Sequence, residues 1–149
     1  MKMKVRKGQK HDIPAIYELV IELAIYEKEP EAVTASLQDY YNLFDSKLYS
    51  FIVAEEENKI IGTAIYYDTF STWKGKMLYL EDFIVVESSR QLGVGQLIWD
   101  AIIAEAKARN CKLLKWQVLD WNTPAIRFYE KNKAIIEKEW WNGKIILTS

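Results

Sequence analysis

The sequence predicts a mixed α/β domain. Three observations carry that expectation. Stretches with apolar residues at helical spacing alternate with short runs rich in Val, Ile, Phe and Tyr. The strand-like runs cluster, first around a polar turn and later around a β-α-β passage. And 149 residues, 50% of them hydrophobic, suffice for one core, so residues 1–149 are expected to form a single domain.

Taken in order, "MKVRKG" reads as a short first strand. Asp12 is placed to cap the helix that follows, with Pro14 tolerated in its first turn. Ile16, Leu19, Val20 and Leu23 fall at i, i+3, i+4 and i+7, one apolar helical stripe. "KEPEAV" breaks that pattern, and "TASLQDYYNLF" reads as a second, shorter helix. "YSFIVAE" and "IIGTAIYYD" are strands of an antiparallel hairpin around "EENK". "TFSTWKG" reads as a loop, and "KMLYLEDFIVV" as a long apolar strand interrupted by Glu81-Asp82. Gly95 to Arg109 has the spacing of a strong helix, "KLLKWQV" is a strand, and "LDWNTP" a loop in which Asn122 or Thr123 caps the short helix "AIRFYEK". Two final strands are expected around Asn142-Gly143, a strong hairpin signal. The expected order is therefore β, α, α, three strands, α, β, α, β, β.

Composition narrows the function classes. No apolar run approaches the roughly 20 residues of a membrane span, and the basic N-terminus lacks the apolar stretch of a secretory signal. A single cysteine, Cys111, fits a reducing cytoplasm and reads as packing rather than nucleophile. A formal net charge of −1 argues against general nucleic-acid binding. His11 is alone, and no His/Cys cluster exists, so no metal is expected. Six Trp and nine Tyr fit either a core with a partner interface or an aromatic-walled pocket.

Gly93 and Gly95 stand between the long strand and the long helix. A helix N-terminus offers unsatisfied N–H groups and partial positive charge, and a preceding glycine lets the backbone approach an anion such as phosphate. A mononucleotide P-loop would need Lys-Ser or Lys-Thr, but Gln96 and Leu97 follow Gly95. A dinucleotide fingerprint would need a third glycine, where Ile98 stands.

"RQLGVG" (Arg90 to Gly95) fits [QR]-x-x-G-x-[GA] in that context, and it resembles the pyrophosphate loop of the Gcn5-related N-acetyltransferases, the GNAT superfamily. "ELAIYEKE", "YYDTFSTWKGKMLYLEDFIV" and "WNTPAIRFYEK" are similar to the blocks of the diamine, spermidine/spermine-type acetyltransferases, in the same order and across nearly the whole chain. The resemblance implies the GNAT fold: a central mixed, mostly antiparallel sheet with one splayed parallel pair and helices on both faces. It also implies acetyl-CoA as donor, a primary amine of a small molecule as acceptor and direct transfer, and family habit together with Arg, Trp and strand-rich ends suggests a homodimer; the composition points to a cytoplasmic protein with neither nucleic acid nor membrane as partner.

The chemistry is then definite. An alkyl amine with a pKa near ~10 is about one part in a thousand free nucleophile at neutral pH, so a proton must be removed. Glu81 is the expected base, its pKa raised by partial burial, and the resemblance implies that it works through water. The alternative is that Glu81 and Asp82 sit at a strand bulge and pair with Lys or Arg. Carried over residue by residue, the resemblance makes Tyr129 the acid for the departing sulfur. A core tyrosine is the bland alternative. Phe83, Ile84 and Val85 contact the cofactor, with an N–H near Ile84 polarising the carbonyl. Gln91, Leu92, Gly93, Val94, Gly95 and Gln96 hold the pyrophosphate, Arg90 adds charge or is simply solvated, and Asn122 hydrogen-bonds the cofactor. Tyr26, Glu27, Trp73, Asp82, Glu139 and Trp141 line the amine site, where carboxylates and aromatic faces suit an alkylammonium. Three features depart from the subfamily: Ser71 replaces an aspartate, which opens the acceptor range to a shorter or lysine-like amine; Lys133 replaces a glycine after the tyrosine-bearing helix; and the segment before the "FIV" strand is short. The rivals are a protein or peptide N-acetyltransferase, and a non-catalytic acyl-CoA-binding regulatory module.

Overall fold

Five strands form one sheet in chain order: β1 (Met3–Lys7), β2 (Ser50–Glu56), β3 (Lys59–Ser71), β4 (Gly75–Val85) and β5 (Leu113–Lys115). β1 through β4 pair antiparallel, and β5 joins β4 in parallel. The computed structural model describes residues 2–90 and 92–148, which fall into two compact units divided between Trp116 and Gln117. The sheet belongs to the first unit, with helices α1 (Ile13–Tyr26), α2 (Leu37–Asp45) and α3 (Val94–Ala108). The second unit carries α4 (Thr123–Lys131).

Strand alternation sorts the core into two layers. Ile13 and Ile16 of α1 cluster with Phe51, Val53 and Ile65 on one face of the sheet, and Tyr40, Tyr41 and Phe44 of α2 pack against that cluster. On the other face, Ile98 of α3 lies so close to Gly62 that a Cβ there would sit 2.7 Å from Ile98 Cδ1. Helices therefore cover both faces, as the mixed α/β reading requires.

Most elements follow the local signals, and three depart from them. Asp12 precedes α1, but its side chain makes no capping bond to that helix. Its carboxylate accepts the Gln9 N–H at 2.8 Å and takes the Arg6 guanidinium at 2.8 and 3.0 Å, because a 3₁₀ turn over Lys10–Asp12 intervenes. The expected loop "TFSTWKG" is mostly strand: β3 runs to Ser71, pairs with Gly75, and leaves only Thr72–Lys74 as a turn. The Ser71 hydroxyl accepts the N–H groups of Trp73 and Lys74 at 3.2 and 3.1 Å, which closes that turn.

The third departure is at the C-terminus. Among the described residues no strand follows Lys115. Neither Asn142 nor Gly143 takes the positive φ that a type I′ turn needs, whereas Glu57 and Asn58, between β2 and β3, do so at 50° and 67°. An isolated hairpin is marginal in water without a sheet or helix to pack on, so the Asn-Gly signal alone does not build one.

Candidate active site

The site grows out of a change in β4. Ile65 pairs with Asp82 and Tyr66 with Leu80, so Glu81 is an extra residue opposite the junction, a β-bulge. In a regular strand two adjacent residues point to opposite faces. The bulge cancels that alternation, and Glu81 and Asp82 line the same two cavities on the α1–α2 side of the sheet.

One cavity, of about 350 Å³, lies beneath α2 and is walled by Leu43, Leu48, Tyr49, Ile65 and Tyr67. The other, of about 400 Å³, lies beside the end of α1, with Glu27, Glu29 and Thr34 among Val20, Leu23 and Val33. Tyr40, Glu81 and Asp82 belong to both.

The two carboxylates sit differently. Glu81 is exposed and accepts a hydrogen bond from the Tyr67 hydroxyl at 3.2 Å. Asp82 is largely buried, and burial, then the neighbouring Glu81 and Glu27, push it up from 3.8 to about 7. The dry carboxylate is thus Asp82, not Glu81. A bulge was one of the two readings of this acidic pair; ion pairing with Lys or Arg is absent from both residues among the described ion pairs. Burial also raises Glu27, while burial and then Glu81 push the Tyr67 hydroxyl up to about 12. Burial, followed by the charge of Asp82, raises Tyr40.

Past the bulge, β4 has an open edge. β5 pairs with β4 at Met77–Tyr79, so the described parallel ladder stops before Glu81. The Val86 N–H reaches the Ile61 carbonyl at 2.9 Å, and antiparallel alternation then turns the main chain of Ile84 toward β3 as well. Phe83 and Val85 point their main-chain groups to the open edge. The expected N–H near Ile84 therefore corresponds to the amides of Phe83 and Val85, which flank it. The Val85 carbonyl accepts Arg90 Nε at 3.0 Å, and the Arg90 guanidinium stacks 5.5 Å over the Tyr26 ring. Arg90 thus ties the end of α1 to the end of β4 rather than being merely solvated.

The turn into α3 opens on Gly93 in the left-handed region at φ 82°, a conformation that costs a residue with a Cβ roughly 1–2 kcal/mol. Leu97 N–H donates to the Gly93 carbonyl at 3.2 Å, and the amides of Val94 and Gly95 precede that bond at the helix N-terminus, where the first N–H groups have no intrahelical acceptor. Gly95 lies within the first turn, Leu92 is exposed, and the Gln96 side chain donates to Asp100 at 2.9 Å. Gln91 lies outside the described residues. Among the described residues no cluster of three or more His, Cys, Asp or Glu could hold a metal ion, and no helix is long and apolar enough to cross a membrane.

A family model described as the acetyltransferase (GNAT) family matches residues 13–133. The chain belongs to the GNAT acetyltransferases. This GNAT acetyltransferase is 30% identical over 150 residues to the thialysine N-epsilon-acetyltransferase of Bos taurus, covering 93% of this chain and 88% of that protein. It is 29% identical over 141 residues to the spermidine/spermine N(1)-acetyltransferase-like protein 1 of Homo sapiens, covering 89% of this chain but only 20% of that relative's length. In fold it matches an aminoglycoside acetyltransferase from an uncultured soil metagenomic sample with a TM-score of 0.82 at 18% identity, over 98% of this chain and 97% of the other.

Within the first unit of this GNAT acetyltransferase, Glu81, Asp82 and Glu27 come together, whereas Tyr26 lines neither cavity and is linked through Arg90 to the end of β4. Trp73 does not join them. It is 82% exposed at the tip of the β3–β4 hairpin, and the six residue steps of β4 from Gly75 to Glu81 span about 20 Å. In the second unit, Asn122 accepts the Ala125 N–H at 3.4 Å and caps α4, and Tyr129 is that helix's buried residue. Glu139 and Trp141 lie exposed in the irregular chain beyond it. Lys133 takes φ 66° at the end of α4, the left-handed position a glycine would fill at no steric cost.

Two wall residues, Tyr40 and Tyr67, were not legible as site residues. For Tyr67 there is a signal: it stands two residues from Ile65, hence on the same face of β3. For Tyr40, helical spacing alone indicates only a core position.

Proposed function

We propose that this protein transfers an acetyl group from acetyl-CoA directly to a primary amine of a small molecule, a diamine or a lysine-like amine. The observation that carries the reading is the bulge at Glu81, which turns two adjacent carboxylates onto one face beside the open edge of β4. Relatives named for thialysine and for spermidine/spermine support an amine acceptor of this kind.

The residues present fit acetyl-CoA. Main-chain groups of Phe83 and Val85 face the open edge, where a pantetheine arm would find ladder-like partners. The amides at the start of α3, behind the left-handed Gly93, suit a diphosphate. When bound, acetyl-CoA supplies an acetyl group activated as a thioester. The chain's own residues do the rest. Glu81 and Glu27 attract the ammonium. Asp82, with a pKa close to the working pH, receives the amine's proton, and the exposure of Glu81 leaves room for a water in that path. Tyr129, on α4, is the proposed donor to the sulfur, and Asn122, which opens the same helix, a further cofactor contact. Trp73, Glu139 and Trp141 are left out of the proposed amine site.

The test is thiol release from acetyl-CoA with a panel of amines. Diamines and lysine-like amines are expected to be turned over, and silence toward every amine overturns the reading. In the same assay Tyr129→Phe should lower kcat by about 10²–10⁴-fold with acetyl-CoA affinity essentially unchanged. An equal loss of both would make Tyr129 a binding residue.

A further inference from the structure

The two cavities share one wall and differ in the rest. The acidic cavity, with Glu27 and Glu29, suits the distal ammonium of a diamine. The cavity beneath α2 offers no such partner. Away from Glu81 and Asp82 its walls are leucine, isoleucine and tyrosine rings. Tyr40, Tyr49 and Phe44 pack edge-to-face there, and the Tyr49 hydroxyl is spent on the Tyr40 carbonyl at 2.9 Å. Burial holds the Tyr49 hydroxyl protonated, its pKa pushed up to about 12. Leu43 and Leu48 are 42% and 58% exposed at the rim, apolar surface left in water. A second ammonium placed here would lose its hydration without gaining a carboxylate, whereas an alkyl or phenyl group would gain what the ammonium loses. At about 350 Å³ the space falls in the range of small-molecule pockets, about 300–1,000 Å³.

We propose that this cavity receives an apolar acceptor tail, so that the protein also acetylates monoamines carrying an unbranched alkyl chain or a phenylalkyl group. The inference rests on the transfer reading above and adds a second acceptor class to it. The reaction balances without further reactants. The ammonium, held at Glu81 and Asp82, loses one proton to that pair. The nitrogen lone pair then forms the N–C bond to the acetyl carbon and the C–S bond breaks, its electrons leaving on sulfur. A second proton from nitrogen ends on the thiol, so one proton is released per turnover.

The experiment measures kcat/KM by thiol release for propyl-, butyl-, pentyl- and hexylamine and phenethylamine, beside 1,4-diaminobutane and 1,6-diaminohexane. Each added methylene in the monoamine series should raise kcat/KM about fourfold, the factor that burial of one CH₂ provides. Leu48→Glu alters an exposed rim residue and puts a carboxylate at the mouth. It should lower kcat/KM for hexylamine at least tenfold and raise that for 1,6-diaminohexane. A flat monoamine series, or no change of preference in Leu48→Glu, overturns this inference while turnover of the diamines leaves the transfer reading standing. Silence toward all seven amines overturns both.

Discussion

Strand β4 has two ends with opposite duties. From Met77 to Tyr79 it is paired on both edges, to β3 and β5, and Met77 and Leu78 are buried. Past the bulge residue Glu81, Asp82 to Val85 are paired to β3 alone in the described pairings. A strand held on both edges has its main chain fully spent and can only stabilise. A strand released on one edge keeps main-chain groups to offer to a ligand, and the bulge at the release point re-aims side chains that regular pleating would have separated. On the proposed function, stability and chemistry divide along a single strand, and substitutions at its two ends should have separable effects.

The largest effect is expected at the open end. Asp82→Asn should lower kcat by about 10²–10⁴-fold and leave thermal stability unimpaired near neutral pH, because it removes a charge that burial already disfavours. Steady-state kinetics together with a thermal melt check this. A fall in melting temperature with unchanged turnover would erase the distinction between the two ends.

At the closed end, Leu78→Ala should cost about 2–5 kcal/mol of unfolding free energy, since Leu78 is fully buried. Activity per folded molecule should hold, as read by denaturant titration beside active-fraction kinetics.

The smallest effect is one of pH. Asp82 holds its proton more tightly folded than unfolded, so between about 4 and about 7 the folded state carries more protons and stability falls as pH rises. The slope is at most about 1.4 kcal/mol per pH unit. It is absent below pH 4, where both states are protonated, and should vanish in Asp82→Asn. Turnover should move the other way, rising through the same window as Asp82 becomes able to accept a proton. Melting curves across pH 4 to 8 for both proteins sharpen the comparison, and parallel curves would remove Asp82 from it.

Much of this was legible in the residues. The stripe through Ile16 and Leu19 packs as its spacing requires, and the "EENK" turn closes the β2–β3 hairpin. Asn122 caps α4, and a glycine with left-handed φ opens α3. These are local matters: 3.6- and 2-residue periodicity, turn chemistry, and an amide that needs a cap within three residues. The acids at 81 and 82 could be picked out because ionisable groups interrupt an apolar run. Their shared face could not, because it depends on a register slip against Ile65 and Tyr66, set by a strand some 15 residues away in the chain.

By itself, then, the sequence determined the succession of elements in the first unit, the glycine turn and the residue types the reaction needs. Three decisions belonged to the tertiary structure: that Asp82 rather than Glu81 is the dry carboxylate, that the main chain of Phe83 and Val85 turns to the open edge, and that the Asn-Gly pair near the C-terminus makes no hairpin turn. The reason is common to all three. Burial, ladder direction and strand pairing are properties of a residue's neighbours in space, and a neighbour brought by another strand leaves no periodic trace in the residue's own segment.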